Sequence, residues 1–131
     1  MSGVQDTAGG AHGGSTFPKR LRLLKPAEFE RVFSRKRSRA DGMIILYACE
    51  GEQEEPRLGM AVSRKVGNAV RRNRWKRCLR EAFRLSLHEL PPRLDLIVIP
   101  QRKAEPDVER LRKSLRRLSS EAAKRLGKGG R

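Results

Sequence analysis

The stretch Leu58-Gly59-Met60-Ala61-Val62-Ser63-Arg64-Lys65-Val66-Gly67-Asn68-Ala69-Val70-Arg71-Arg72-Asn73-Arg74-Trp75-Lys76-Arg77 decides the fold. Small residues alternate with larger ones from Leu58 to Ser63, which is the period of a strand. Gly67-Asn68 ends that pattern, and Asn68 is suited to accept a hydrogen bond from the first free N–H groups of a helix. The helix then runs to about Leu90, where Pro91-Pro92 stops it.

On a wheel turning about 100° per residue, Trp75, Cys78, Leu79, Ala82, Phe83 and Ser86 fall within one broad arc. Arg74, Lys76, Arg77, Arg80 and Arg84 fall on the other side. Arg71 and Arg72 share the apolar azimuth, but they lie in the first turn, where a helix can project past a sheet. Arg64 to Arg84 holds nine basic residues and one acid, Glu81, for a net +8 of the chain's +16. A face that only solvates a helix mixes its signs, and this one does not. Arginine also grips phosphate with two parallel N–H groups, where lysine acts as a point charge. The amphipathic pattern therefore predicts one face for a core and one for an anion. Asn73, a poor helix former within that run, admits two roles: a local cap, or a hydrogen bond to a base or sugar edge.

Outward from this helix the chain stays basic, with 31 Lys and Arg against 15 Asp and Glu. Such an imbalance repels itself in a compact state and is best matched by a polyanion. Hydrophobic residues make up 37%, below the globular norm of about 45–50%, so the core is expected to be thin. Residues 1–16, with Val4 as the one large aliphatic side chain, read as a flexible Gly-rich tail, and 127–131 as a flexible basic tail. Residues 17–126 make the single domain between them. Cys49 and Cys78 stand apart without metal-ligand spacing, which predicts reduced thiols rather than a disulfide or zinc site. Met43 to Cys49 is too short an apolar run to span a bilayer, and no signal peptide opens the chain, so the expected compartment is the cytoplasm.

A short helix should begin at Pro26, with Phe29, Val32 and Phe33 at helical spacing. Met43 to Cys49 reads as a strand, and an acidic loop (Glu50, Glu52, Glu54, Glu55) ends at Pro56. Leu94 to Ile99 is a nearly continuous apolar run and hence a central strand. Pro106-Asp107 opens a last helix whose apolar stripe is Val108, Leu111, Leu115, Leu118, Ala122 and Leu126. This order gives an α+β sandwich. Lys19 to Arg39 forms a second basic stretch around Phe29 and Phe33. The default for two aromatics four apart on a helix is core packing, while a basic rim also suits a platform on which unpaired bases stack. Tyr47 poses the same choice, since Ile45 and Tyr47 share one face of their strand and Ile44, Leu46 and Ala48 the other.

No catalytic constellation is present. His12 and His88 lack a nucleophile or carboxylate at suggestive spacing, and Lys65-Val66-Gly67-Asn68 lacks the glycines of a phosphate loop. A nuclease acting alone is therefore disfavoured. A helix-turn-helix DNA binder is disfavoured because a strand, not a short helix, precedes the basic helix. A ribosomal or free-standing RNA-binding protein remains a rival of the same size and charge.

Arg57 to Arg77 closely resembles the signature of the bacterial ribonuclease P protein subunit: a strand ending in Ser63-Arg64-Lys65, then Gly67-Asn68-Ala69-Val70, then Arg72-Asn73-Arg74 and Lys76-Arg77. The likeness continues back through Leu46-Tyr47, Val32-Phe33, Phe29 and Arg22-Leu23, and forward through Arg80, Ala82-Phe83, Asp95 to Ile99 and Lys113-Ser114-Leu115. It implies an α-β-β-β-α-β-α sandwich, like the second domain of ribosomal protein S5, with a left-handed β-α-β crossover around the basic helix against the usual hand. It also implies a further short strand around Arg37 to Asp41. The family's enzyme is a ribonucleoprotein that removes the 5′ leader from precursor tRNA, with the catalytic Mg2+ held mainly by its RNA subunit and no obligatory protein partner. By position, Arg72, Asn73, Arg74, Lys76 and Arg77 would contact the catalytic RNA, with Lys65, Arg71 and Arg80 nearby, while Phe29, Phe33 and Tyr47 would line a cleft for the leader. The Gly-rich extension is longer than usual, Leu24 stands where a basic residue is common, and Trp75 replaces an aliphatic residue.

Overall fold

The computed structural model describes residues 17–129, with side chains to Leu126. The segment 1–16, expected to be a tail, lies outside the described residues. Of 127–131, also expected to be a tail, residues 127–129 instead continue the last helix, and their side chains lie outside the described residues. The element order is α1 (Pro26–Ser34), β1 (Ser38–Ala40), β2 (Ile44–Glu50), β3 (Arg57–Met60), α2 (Ala69–Ser86), β4 (Leu94–Pro100) and α3 (Val108–Gly129). This is the α-β-β-β-α-β-α order the resemblance implied, including the short first strand. Single 3-10 turns at Lys19–Leu21, Arg64–Val66 and Leu87–Glu89 join the elements.

The four strands lie in the order β1-β2-β4-β3. β2 pairs antiparallel with β1 and β4, and β3 pairs parallel with β4, Leu58 opposite Leu96 and Gly59 opposite Ile97. A parallel pair needs a crossover, and α2 supplies it. Beyond β3 the sheet is closed by Leu23, whose N–H donates to Leu58 O at 2.9 Å. Alternation then divides the side chains. Ile44, Leu46, Ala48, Leu58, Leu94, Leu96 and Val98 join Trp75, Leu79, Phe83, Leu111, Leu115 and Leu118 in the main core beneath α2 and α3. Cys49 and Ile97 face the opposite way and meet Leu23 and Val32 under α1. The sheet is thus covered on both faces, which explains the near-continuous apolar run of β4.

The basic helix is capped as its sequence suggests, with Asn68 Oδ1 accepting the Arg71 N–H at 3.0 Å. Gly67 just before it has φ 151°, and a Cβ there would lie 2.5 Å from Arg71 Cδ, so only glycine fits this corner. Several boundaries differ from expectation, two of them flanking the basic helix. β3 ends at Met60 rather than Ser63, because Ser63 accepts the Lys65 N–H and begins a 3-10 turn. α2 ends at Ser86 rather than Leu90, its last residues tightening into a 3-10 turn ahead of Pro91. α3 is opened by Asp107, whose carboxylate accepts the Arg110 N–H at 2.9 Å.

Candidate nucleic-acid interface

α2 buries Trp75, Leu79, Ala82, Phe83 and Ser86 and turns its basic arc to solvent. Asn73, Arg74 and Arg77 are exposed, Lys76 is half-buried, and Lys65 is exposed on the turn before the helix. The one acid of the run, Glu81, is held by Arg84 on the same helix, and arginines elsewhere hold other carboxylates: Arg20 with Glu55, Arg35 with Glu50 and Arg93 with Glu54. No described carboxylate pairs with Arg74, Lys76 or Arg77. A run of guanidinium and ammonium groups without counter-ions is an anion-binding surface.

The first-turn arginines have other work. Arg71 donates to Val66 O (2.8 Å), Ala104 O (2.6 Å) and Glu105 Oε1 (3.0 Å), so it pins the start of α2 to the loop after β4. Arg72 donates to Gly67 O at 3.2 Å. Arg80 is half-buried farther along the same helix. The residues singled out from sequence therefore divide into those turned outward (Lys65, Asn73, Arg74, Lys76, Arg77) and those that also hold the corner (Arg71, Arg72). Cys78 lies half-buried among them. Burial pushes its thiol up more than Arg74 and Arg77 pull it down, which keeps it protonated and unreactive.

Across the sheet, α1 rests on the face of β2 and β4 opposite the main core. Phe33 and Tyr47 meet edge to face, with ring centroids 4.9 Å apart at 77°. Phe29 lies over β3, where a Cβ on Gly59 would come within 2.8 Å of its ring. All three aromatics are half-buried and pack on Leu23, Val32 and Ile97. Both readings of the sequence thus hold at once: the rings form a small second core and still show an edge to solvent. Ile99, which packs in this cluster, also lines a groove of ≈ 770 Å³ together with Ile45, Pro100, Ser63, Lys65, Arg102 and Lys103. Arg102 and Lys103 went unnoticed in the sequence. Two adjacent cations directly after a central apolar strand were the available signal.

The base of this layer is fixed by charge. Asp95 on β4 is fully buried and receives Arg57 through two hydrogen bonds, Nε to Oδ1 at 2.9 Å and Nη2 to Oδ2 at 2.8 Å. Arg31 of α1 donates to the same carboxylate and also to Glu50 O at 2.9 Å. Arg57 reaches on to Glu28 at 3.3 Å, and Glu28 accepts the Lys25 and Leu24 N–H groups ahead of α1. The Lys25 N–H first, then that of Leu24 and the Arg57 charge, hold the Glu28 carboxyl below its usual range against a desolvation that opposes them. α1 is thereby tied to the sheet at its N-terminus through Glu28 and midway along its length through Arg31.

The ribonuclease P family model matches residues 17–123. A ribonuclease P protein component from Bacillus pumilus is 42% identical over 107 residues, covering 80% of this chain and 90% of that protein. One from Oleidesulfovibrio alaskensis is 44% identical over 87 residues, 65% of this chain and 70% of that protein. Among solved structures, an RNase P protein mutant from Staphylococcus aureus superposes with a TM-score of 0.70 at 33% identity, over 80% of this chain and 90% of its own. The RNase P protein from Thermotoga maritima gives 0.65 at 29% identity, over 74% and 96%. The matched span takes in every element that builds the basic helix, the cleft and the clamp beneath it, and the chain belongs to the ribonuclease P protein family.

Proposed function

We propose that this chain, as a ribonuclease P protein component, grips the catalytic RNA along α2 and holds the 5′ leader of precursor tRNA in the cleft between α1 and the sheet. The observation that carries this reading is the placement of two unlike surfaces on opposite sides of one sheet. The α2 surface offers unpaired Arg74, Lys76 and Arg77 with Asn73 between them, the chemistry of a phosphate-rich partner. The cleft offers aromatic edges at Phe29, Phe33 and Tyr47, and the groove that shares Ile99 with them carries Lys65, Arg102 and Lys103, a combination that suits unpaired nucleotides.

In this role the chain donates no reacting group. Magnesium bound by the RNA subunit supplies the metal chemistry of phosphodiester hydrolysis. The protein neutralises phosphates near that centre, which raises substrate affinity and lowers the magnesium needed. The work is carried out in the cytoplasm, and among the described residues no helix is long and apolar enough to cross a membrane.

Reconstitution tests this directly. Purified protein added to a bacterial ribonuclease P RNA should restore cleavage of precursor tRNA at magnesium concentrations where the RNA alone is inactive. Cleavage that stays at the level of the RNA alone would reject the assignment.

A further inference from the structure

From its sequence α3 mixes signs, with Glu109 and Glu121 among its cations. The contacts remove that impression. Glu109 is engaged by Arg112 at 3.3 Å, and Glu121 by Arg39 of β1 at 3.0 Å. Glu89, at the end of α2, serves both Arg112 (3.6 Å) and Arg116 (3.2 Å). These pairs use the flanks of the helix. On the side away from Leu111, Leu115, Leu118 and Ala122 lie Arg110, Lys113, Arg117 and Lys124, all exposed. Their spacing of three, four and seven residues sets them within about 60° of one another on an ideal helix. Arg117 approaches Asp41 at 3.5 Å, while no described carboxylate pairs with Arg110, Lys113 or Lys124.

Two features separate this stripe from ordinary solvation. Like charges three and four residues apart disfavour the helix that carries them. Arg110 sits in the first turn, where the positive end of the helix dipole already disfavours a cation. Both penalties turn into attraction when an anion lies along the stripe. At about 1.5 Å per residue the four side chains span about 21 Å of axis, long enough to follow several consecutive phosphates of an RNA strand.

We propose that the outer stripe of α3 is a second phosphate-binding face, which takes a segment of RNA backbone separate from the one engaged by α2. The proposal rests on the reading of the chain as an RNA-binding subunit. α2 and α3 pack side by side on one face of the sheet and each turns its own cations outward. The chain then bridges two RNA segments rather than coating one.

The full chain can be titrated with a bacterial ribonuclease P RNA, and separately with a plain RNA duplex of about twenty base pairs, across a salt series. The α3 variant carries Arg110→Gln, Lys113→Gln and Lys124→Gln, leaving Arg117 on Asp41. The α2 variant carries Arg74→Gln, Lys76→Gln and Arg77→Gln. Each lost phosphate contact lowers the slope of log K against log salt by about 0.9, so the α3 variant should bind the ribonuclease P RNA with a slope shallower by about 2.7 and an unchanged melting temperature. The α2 variant should still bind the duplex in a salt-dependent way, and the combined variant should not. An α3 variant with native affinity and slope would overturn the proposal, as would an α2 variant that alone loses all duplex binding. A failure of the broader reading shows up elsewhere, as native protein that does not stimulate cleavage.

Discussion

Arg57 on β3 and Asp95 on β4 face each other across the parallel pair through two hydrogen bonds of 2.9 and 2.8 Å, with Asp95 wholly out of solvent. A buried pair of this kind contributes little net stability compared with an apolar pair, but removing one partner strands the other. Asp95 has two arginines to strand. Asp95→Ala should therefore destabilise the fold by about 3–5 kcal/mol, seen as a lower urea midpoint at an unchanged m-value. Arg31→Ala should cost less, because Arg31 is partly exposed and Arg57 still satisfies the carboxylate. Equal losses for the two variants would contradict this order.

Arg74→Ala and Phe33→Ala should separate the two surfaces. The first should weaken assembly with the catalytic RNA and flatten its salt dependence by about one contact, or 0.9 in slope. The second should leave assembly intact and lower affinity for leader-bearing precursor, with mature tRNA unaffected. Should both variants lose affinity equally for precursor and mature tRNA, the cleft assignment is wrong.

Gly59→Ala tests how closely α1 sits on the sheet. The added methyl would come within 2.8 Å of Phe29 Cζ and 3.1 Å of Leu23 Cβ, in a layer closed on both sides. Displacing the ring should cost about 1–3 kcal/mol, and the widened cleft should weaken leader binding more than binding of the catalytic RNA. Thermal melting and paired affinity measurements check both parts.

Acid should unfold the protein through carboxylates held low in the fold, Glu28, Asp41 and Glu50 among them. Glu28 is held low by its backbone N–H bonds. For Asp41 burial pushes upward, but the Ser114 hydroxyl and the Ile44 and Met43 N–H groups outweigh it, so it also ends low. Glu50 behaves likewise, burial being overcome by its own N–H and by Arg35. Groups lowered in the folded state add stability above their unfolded values of about 4 and lose it as pH falls through the lower folded ones. The melting temperature should hold level from neutrality to about pH 5 and drop steeply below pH 4. Asp41→Asn should blunt that drop.

The helical face of α2 was legible because its information is local: a cap at Asn68, apolar spacing from Trp75 to Phe83, and cations between. β4 was legible from its unbroken apolar run. β1 was not visible in pattern, since Ser38-Arg39-Ala40 is short and carries no large apolar side chain, and it was located only through family resemblance. The role of Asp95 was hidden for a different reason. Within Leu94 to Ile99 it read as one polar residue in an apolar strand, and its partners lie 38 and 64 residues away. Arg71 was placed near the RNA contacts only through family resemblance, yet two carbonyl groups from separate loops hold its side chain. A guanidinium engaged within the fold and one turned to solvent look identical in a sequence.

The alternation along β2 has one last effect. Ile44, Leu46 and Ala48 serve the layer beneath α2 and α3, while Tyr47 and Cys49 serve the layer beneath α1. The two layers share a backbone and no side chain. Substitutions on opposite sides should therefore combine additively in a double-mutant cycle, so a lineage can retune one surface without renegotiating the other. A single-residue insertion in β2 is the exception, since a one-step slip of register exchanges the two sets of side chains at once.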